Sequence, residues 1–131
     1  MKFRLATTKL AFSHMRRERF FLVSFLFSAL LIGLSVFLIW WQLFPEIQSQ
    51  IFVPLHYNIH FGVDALGPWW RIFTIPMVGM GILLVNTSAA IFLWNREQAL
   101  SYFFAATSVL SQIILFVALL FVILLNLTYY G

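Results

Sequence analysis

Formal charges are absent from three long stretches of this chain: 26 residues between Arg19 and Glu46, 24 between Arg71 and Arg96, and the 34 that follow Glu97. Each exceeds the ~20 apolar residues with which a helix crosses about 30 Å of hydrocarbon. A backbone in lipid has no water to bond to, so such a stretch closes its own hydrogen bonds as a helix. The pattern predicts an all-α integral membrane protein in one domain, residues 1–131, with transmembrane helices over 20–44, 72–94 and 103–127. Residues 1–19 precede the first span, 45–71 form the loop to the second, 95–102 a short turn, and 128–131 a tail. The first stretch is too long for the apolar region of a secretory signal. No Ala-x-Ala cleavage site follows Trp40 and Trp41 before Pro45, so it reads as an uncleaved anchor.

Inside the loop the pattern changes to period two. Ile51, Val53, Leu55, Tyr57, Ile59, Phe61 and Val63 fall on one side, and Phe52, Pro54, His56, Asn58, His60 and Gly62 on the other, with Asp64 continuing that parity. This predicts one extended, strand-like segment, its apolar side resting on the helix ends or the lipid interface and its polar side presented outward.

Charge gives these elements a direction. With 63% of residues apolar and only 9% charged, a water-soluble domain is excluded. Six of the eight cations, Lys2, Arg4, Lys9, Arg16, Arg17 and Arg19, precede the first span with Glu18 as the only acid among them. That bias is a topology signal rather than a nucleic-acid-binding face, and it places the N-terminus in the cytoplasm, the 45–71 loop outside and the C-terminus outside. Phe3, Leu5, Leu10, Phe12 and Met15 between the cations leave two readings of residues 1–19 open: an amphipathic helix on the inner leaflet, or a solvated orientation signal. Trp40 with Trp41, Trp69 with Trp70, and Tyr129 with Tyr130 fall at the same outer level, as an interfacial aromatic belt requires, while Trp94 and Tyr102 mark the inner level.

In lipid, helices associate through close approach at small residues and through interhelical hydrogen bonds. Gly79, Leu83, Asn86 and Ala90 form one face of the second span, and Ser101, Ala105, Ser108 and Gln112 repeat that spacing on the third. With residue 98 as the middle of the turn, Asn86 and Gln112 lie at about the same depth, within ~3 Å, and are expected to bond to one another. A packing role and a substrate-coordinating role both remain open for them. Ser24, Ser28 and Ser35 share a face of the first span, with Ala29 and Gly33 beside it, and either face suits a partner helix. Gly67 and Pro68 read as the start of the second helix. Pro76 is expected to bend it, with Gly79 and Gly81 adding flexibility.

Candidate chemistry is confined to the outer loop. His56, Asn58, His60 and Asp64 are the only concentrated set of potential ligands or catalysts. Zinc favours imidazole and carboxylate ligands, but two histidines four residues apart on an extended chain are separated by about 13 Å, too far for one ion unless a turn near Asn58 or a second chain intervenes. No catalytic residue, metal set or cofactor is assigned. Cysteine is absent, which removes thiolate chemistry. No acid or base lies in a span, which weakens a pump or carrier reading.

The order of a first span, then Pro54-x-His56-Tyr57-Asn58, Gly62 and Asp64, then a second span opening with Phe73-x-Ile75-Pro76, resembles a bacterial membrane domain of unknown function found in sporulation-delay-toxin immunity proteins. Asp64 stands eight residues after His56, as in that family. The glycine departs by one position, Ala65 and Leu66 replace the Trp or Gly after the Asp, and His60 lies outside the pattern. The resemblance spans roughly residues 25–95 and implies an outer-loop recognition surface, formed by Pro54, His56, Tyr57, Asn58, His60, Gly62 and Asp64. The expected function is that of an interaction, accessory or immunity/sensing-type subunit of a prokaryotic cell (inner) membrane, not an enzyme. The expected partners are the lipid bilayer and either further copies of the chain or a larger membrane complex, with no nucleic acid. Two alternatives stand beside it: an oligomeric pore or transporter lined by Asn86, Thr87, Ser108, Ser111 and Gln112, and a membrane metal site or enzyme using the loop histidines.

Overall fold

Helix α1 (Arg19–Leu38) runs without a break through a π-helical turn (Ile39–Leu43) into the short α2 (Phe44–Ile47). A two-stranded antiparallel hairpin follows, β1 (Val53–Asn58) and β2 (Gly62–Gly67), then a 3₁₀ turn (Trp69–Phe73), α3 (Thr74–Leu93) and α4 (Gln98–Tyr130). The structure, a computed structural model, describes residues 18–130. The N-terminal segment that was read either as an amphipathic helix or as a solvated signal lies outside the described residues, as does the Tyr130 ring. Three helical stretches, Arg19–Ile47, Trp69–Leu93 and Gln98–Tyr129, are long and apolar enough to cross a membrane.

The distribution of polarity is the reverse of a soluble protein's. Ser24, Ser28, Ser35, Asn86, Ser101, Ser108, Gln112 and Asn126 are buried, whereas Leu30, Val85, Phe103, Phe121 and Leu124 are exposed. An exposed apolar surface on this scale marks contact with lipid or protein. Two apolar clusters close the ends of the bundle. At the hairpin end Ile39, Leu43, Ile47, Val53, Ile72, Leu119 and Ile123 pack together. At the turn end Phe21, Ala90, Trp94 and Ala105 do so, with the Phe21 ring edge-on to Trp94 at 5.2 Å. Trp94 is thus part of the packed interior, and Tyr102 leans on it. The π-helical turn has a physical reason. Ile39, Leu43 and Ile47 recur every four residues, a spacing that drifts around an α-helix, and the wider turn keeps all three facing inward while Trp40 and Trp41 face out.

The stripes on α3 and α4 meet, but in a different register from that expected. Ser101 Oγ donates to the Ala90 carbonyl at 2.9 Å, and Gln112 Nε2 donates to the Gly79 carbonyl at 2.7 Å. These two bonds are eleven residues apart on each helix and fix one antiparallel pairing, which sets Asn86 level with Ala105 and Leu83 with Ser108. The expected Asn86–Gln112 bond is therefore not made. The reason is the turn: α3 ends at Leu93 and α4 begins at Gln98, so the hairpin's midpoint lies near residues 95–96 and not 98, and the turn is shorter than 95–102. Gly79 supplies the space for this contact, since a β-carbon there would stand 2.6 Å from Gln112 Oε1.

One further expectation is corrected, and one open choice is narrowed. Pro76 is the third residue of α3, where 3₁₀ geometry passes into α, so it sits in a first turn that tolerates a missing amide and not in mid-span. On α1 the serine face receives α3 and α4, whereas Gly33 is exposed with no atom within 4 Å of a built β-carbon. Replacing Gln112 by Leu is expected to weaken the α3–α4 pair by about 1 kcal/mol, and Gly79→Val by at least as much, because it evicts the same amide; unfolding measurements in mixed micelles check both.

Candidate functional site

The hairpin forms because the chain reverses where a three-residue loop, Ile59–His60–Phe61, is framed by two suitable residues. Asn58 Oδ1 accepts the His60 amide at 2.9 Å, a side-chain turn that asparagine makes readily. Gly62 then adopts φ 75°, a left-handed conformation that closes such loops and that other side chains resist. The expected single extended segment is thus corrected to two strands, and its alternation is corrected with it. Val53 and Pro54 are both buried, while Ile51, Tyr57, Ile59 and Phe61 are exposed; Ile59 and Phe61, at the tip, are 82% and 83% accessible.

Strand pairing is irregular around His56. Pro54 pairs with Leu66, His56 with Ala65 and Tyr57 with Val63, so Leu55 and Asp64 are each left over at a bulge. Proline has no amide to give to a ladder, which suits it to such a position. The displacement aims two side chains. Leu55 turns inward over Gly67, where a β-carbon would lie 2.5 Å from Leu55 Cδ1. Asp64 turns toward His56, and the two meet at 2.7 Å between Nδ1 and Oδ1.

A carboxylate only accepts, so the His56 Nδ1–H donates and Nε2 is left free to accept a hydrogen bond, take a proton or bind a metal ion. The side chains are 66% and 35% accessible, and an ion pair so wet contributes about 0–1 kcal/mol. Its effect is orientation: the ring is held in one tautomer and one direction. Around it Tyr57 and His60 are exposed and Asn58 half-buried. Among the described residues no three His, Cys, Asp or Glu side chains gather as a metal would require.

One polar tie joins this hairpin to the helices, beside the apolar packing of Val53, and it comes from a residue outside the candidate set. Asn126, 1% accessible, donates through Nδ2 to the Pro54 carbonyl at 2.7 Å and to the Val122 carbonyl at 2.9 Å. Its Oδ1 is buried without a partner, and flipping the amide would set that oxygen against two carbonyls, so the orientation follows from the bonds. The signal was present: Asn126 continues the Gln112 face four turns further along α4, as the only amide in an otherwise apolar stretch. The aromatic pairs divide at this end. Trp40, Trp41, Trp70 and Tyr129 are exposed, and Trp69 packs edge-on against Phe44 at 5.6 Å.

Comparison with protein-family models, curated proteins and solved structures finds no match to this chain. The geometry itself makes two predictions. Asn126→Leu is expected to release the hairpin, raising hydrogen–deuterium exchange about five-fold over residues 53–67 while α1 and α3 stay protected, as loss of a bond worth ~1 kcal/mol implies. Gly62→Val should strain the loop by about 1–2 kcal/mol and raise exchange at its closing pair, positions 58 and 62, without loosening Val53.

Proposed function

We propose that this chain is a multi-pass protein of a bacterial cell membrane that recognises a partner through its hairpin, as an interaction, accessory or immunity/sensing-type subunit. The observation that carries this reading is the His56–Asp64 pair. It is fixed at 2.7 Å on a hairpin that Asn126 ties to the helix bundle, and it leaves Nε2 directed away from its internal partner. A surface held in one geometry before contact loses little order on binding. The cationic segment before α1 supports a cytoplasmic N-terminus, which puts the hairpin and the C-terminus outside. The Pro-x-His-Tyr-Asn order with Asp64 supports the same loop as the recognition element, in the manner of the immunity-protein domain it resembles.

Association with further copies or a larger complex is supported by the Ala29–Gly33 face, since the open space at Gly33 suits the close approach of a second helix. The polar residues of the spans favour packing over a pore. Gln112 uses its amide nitrogen on Gly79, and Asn86 and Ser108 are buried within one chain.

A photo-crosslinker at Tyr57, in native membranes, tests recognition. Crosslinked partner is expected to fall at least five-fold on His56→Ala and on Asp64→Asn. Unchanged yield in both variants would refute the hairpin as the recognition element. Orientation is tested separately: a tag before residue 1 is expected to resist a probe added outside intact cells, and labelling there overturns the assignment.

A further inference from the structure

The His56–Asp64 pair offers acceptors to its surroundings and no donor. The imidazole uses its Nδ1–H on Asp64 Oδ1 at 2.7 Å, so Nε2 carries a lone pair and no proton. On the carboxylate, Oδ1 is the oxygen engaged, and the side chain is 35% accessible, so Oδ2 can accept as well. With the ring neutral, the pair bears one negative charge.

The chain does not answer that charge itself. Between Arg19 and Arg71 there is no lysine or arginine, so the hairpin carries none. Arg71 lies at its root, with Cδ 3.2 Å from where a β-carbon on Gly67 would stand, and among the described residues the ion pair Asp64 makes is with His56. A lysine ammonium or an arginine guanidinium has donors only, the complement of Nε2 and Oδ2 in both hydrogen bonding and charge. The same hairpin exposes the rings of Tyr57 and Phe61, whose faces attract cations, and the apolar side chains of Ile59 and Leu66. A cation flanked by apolar groups is what a polypeptide segment presents, rather than a free amine.

We propose that the hairpin recognises a lysine or arginine side chain of a partner polypeptide, which donates to His56 Nε2 and faces the Asp64 carboxylate. The proposal rests on the hairpin being the recognition element and names the chemistry of what it recognises. A proton added at Nε2 reverses both features at once: the acceptor becomes a donor, and the charge of the pair is cancelled. Asp64 keeps its bond to Nδ1–H in either state, so the ring stays in place and only its outward end changes. Acid therefore releases a cationic partner, whereas a partner offering a carboxylate is gained. The elements packed against β1 place Asp64 on β2, Arg71 on the 3₁₀ turn and Tyr129 on α4 at this end, and the hairpin adds Tyr57 and His60. His60 is the second histidine to be separated from His56 in any response to pH.

The test uses the full chain in native membranes, with a photo-crosslinker at Tyr57. Yield is compared at about pH 8 and about pH 5, the interval over which histidine changes charge, and the crosslinked residue of the partner is mapped by mass spectrometry. Wild-type yield is expected to fall about five-fold at the lower pH, as loss of one close charge contact in water implies. The fall should persist in His60→Gln, whereas the yield that remains in His56→Gln should be the same at both pH values. The mapped site should adjoin a lysine or arginine. A yield that rises or stays level on acidification, a fall that His60→Gln abolishes, or a mapped segment without lysine or arginine overturns the cation; if His56→Ala still lowers the yield, the hairpin survives as the recognition element. A yield indifferent to both His56→Ala and Asp64→Asn, or crosslinks to lipid alone, overturns that underlying reading as well.

Discussion

Where no water competes, a polar side chain must find its partner within the protein, and the backbone carbonyls of neighbouring elements are the partners within reach. Helix α4 uses this constraint three times along one face. Ser101 bonds to Ala90 near the turn, Gln112 to Gly79 in the middle of the bundle, and Asn126 to Pro54 at the hairpin. Each bond joins a side chain of α4 to the main chain of another element, so each fixes a position along the helix and not merely a face. Individually such bonds contribute about 0.6–2 kcal/mol in a membrane. Together they determine register, which the apolar contacts around them, able to slide by a turn, specify less sharply. Ser28 on α1 and Ser108 on α4 remain as buried hydroxyls without partners, so packing alone holds those positions.

The hairpin depends on the same constraint at one remove. Two strands alone are marginal in water, and most side chains of this pair are at least partly exposed. Its stability comes from the root: Val53 in the apolar cluster with Ile47, Ile72, Leu119 and Ile123, Leu55 folded over Gly67, and the Pro54 carbonyl held by Asn126. The exposed half is left free to carry polar groups, and among the described residues it is there that an imidazole and a carboxylate meet.

Much of the architecture was legible because long uncharged apolar stretches obey simple rules of length. Three uncharged stretches became three long helices, and the matched stripes from Gly79 to Ala90 and Ser101 to Gln112 do face one another. Depth was misjudged by a few residues because sequence does not reveal where a helix ends. With the turn centred near residues 95–96, Gln112 comes level with Gly79, and the Asn86 partnership dissolves. The loop was misread for a different reason. Alternation persists from Ile51 to Val63, and a three-residue reversal flanked by Asn58 and Gly62 does not interrupt that parity, so period alone could not distinguish one strand from two. His56 and Asp64 were singled out by residue type, but their contact arises from bulges that no spacing rule foretells. Asn126 was overlooked because a lone amide near a helix end reads as an interfacial residue until a carbonyl is found opposite it.

Helix α4 has 33 residues, about 50 Å at 1.5 Å each, against some 30 Å of hydrocarbon. A span that exceeds the local thickness leans over to hide its length. In a bilayer, the bond from Asn126 to Pro54 would make the hairpin lean with α4, and the angle at which it is offered to the surroundings would follow the local thickness of the lipid.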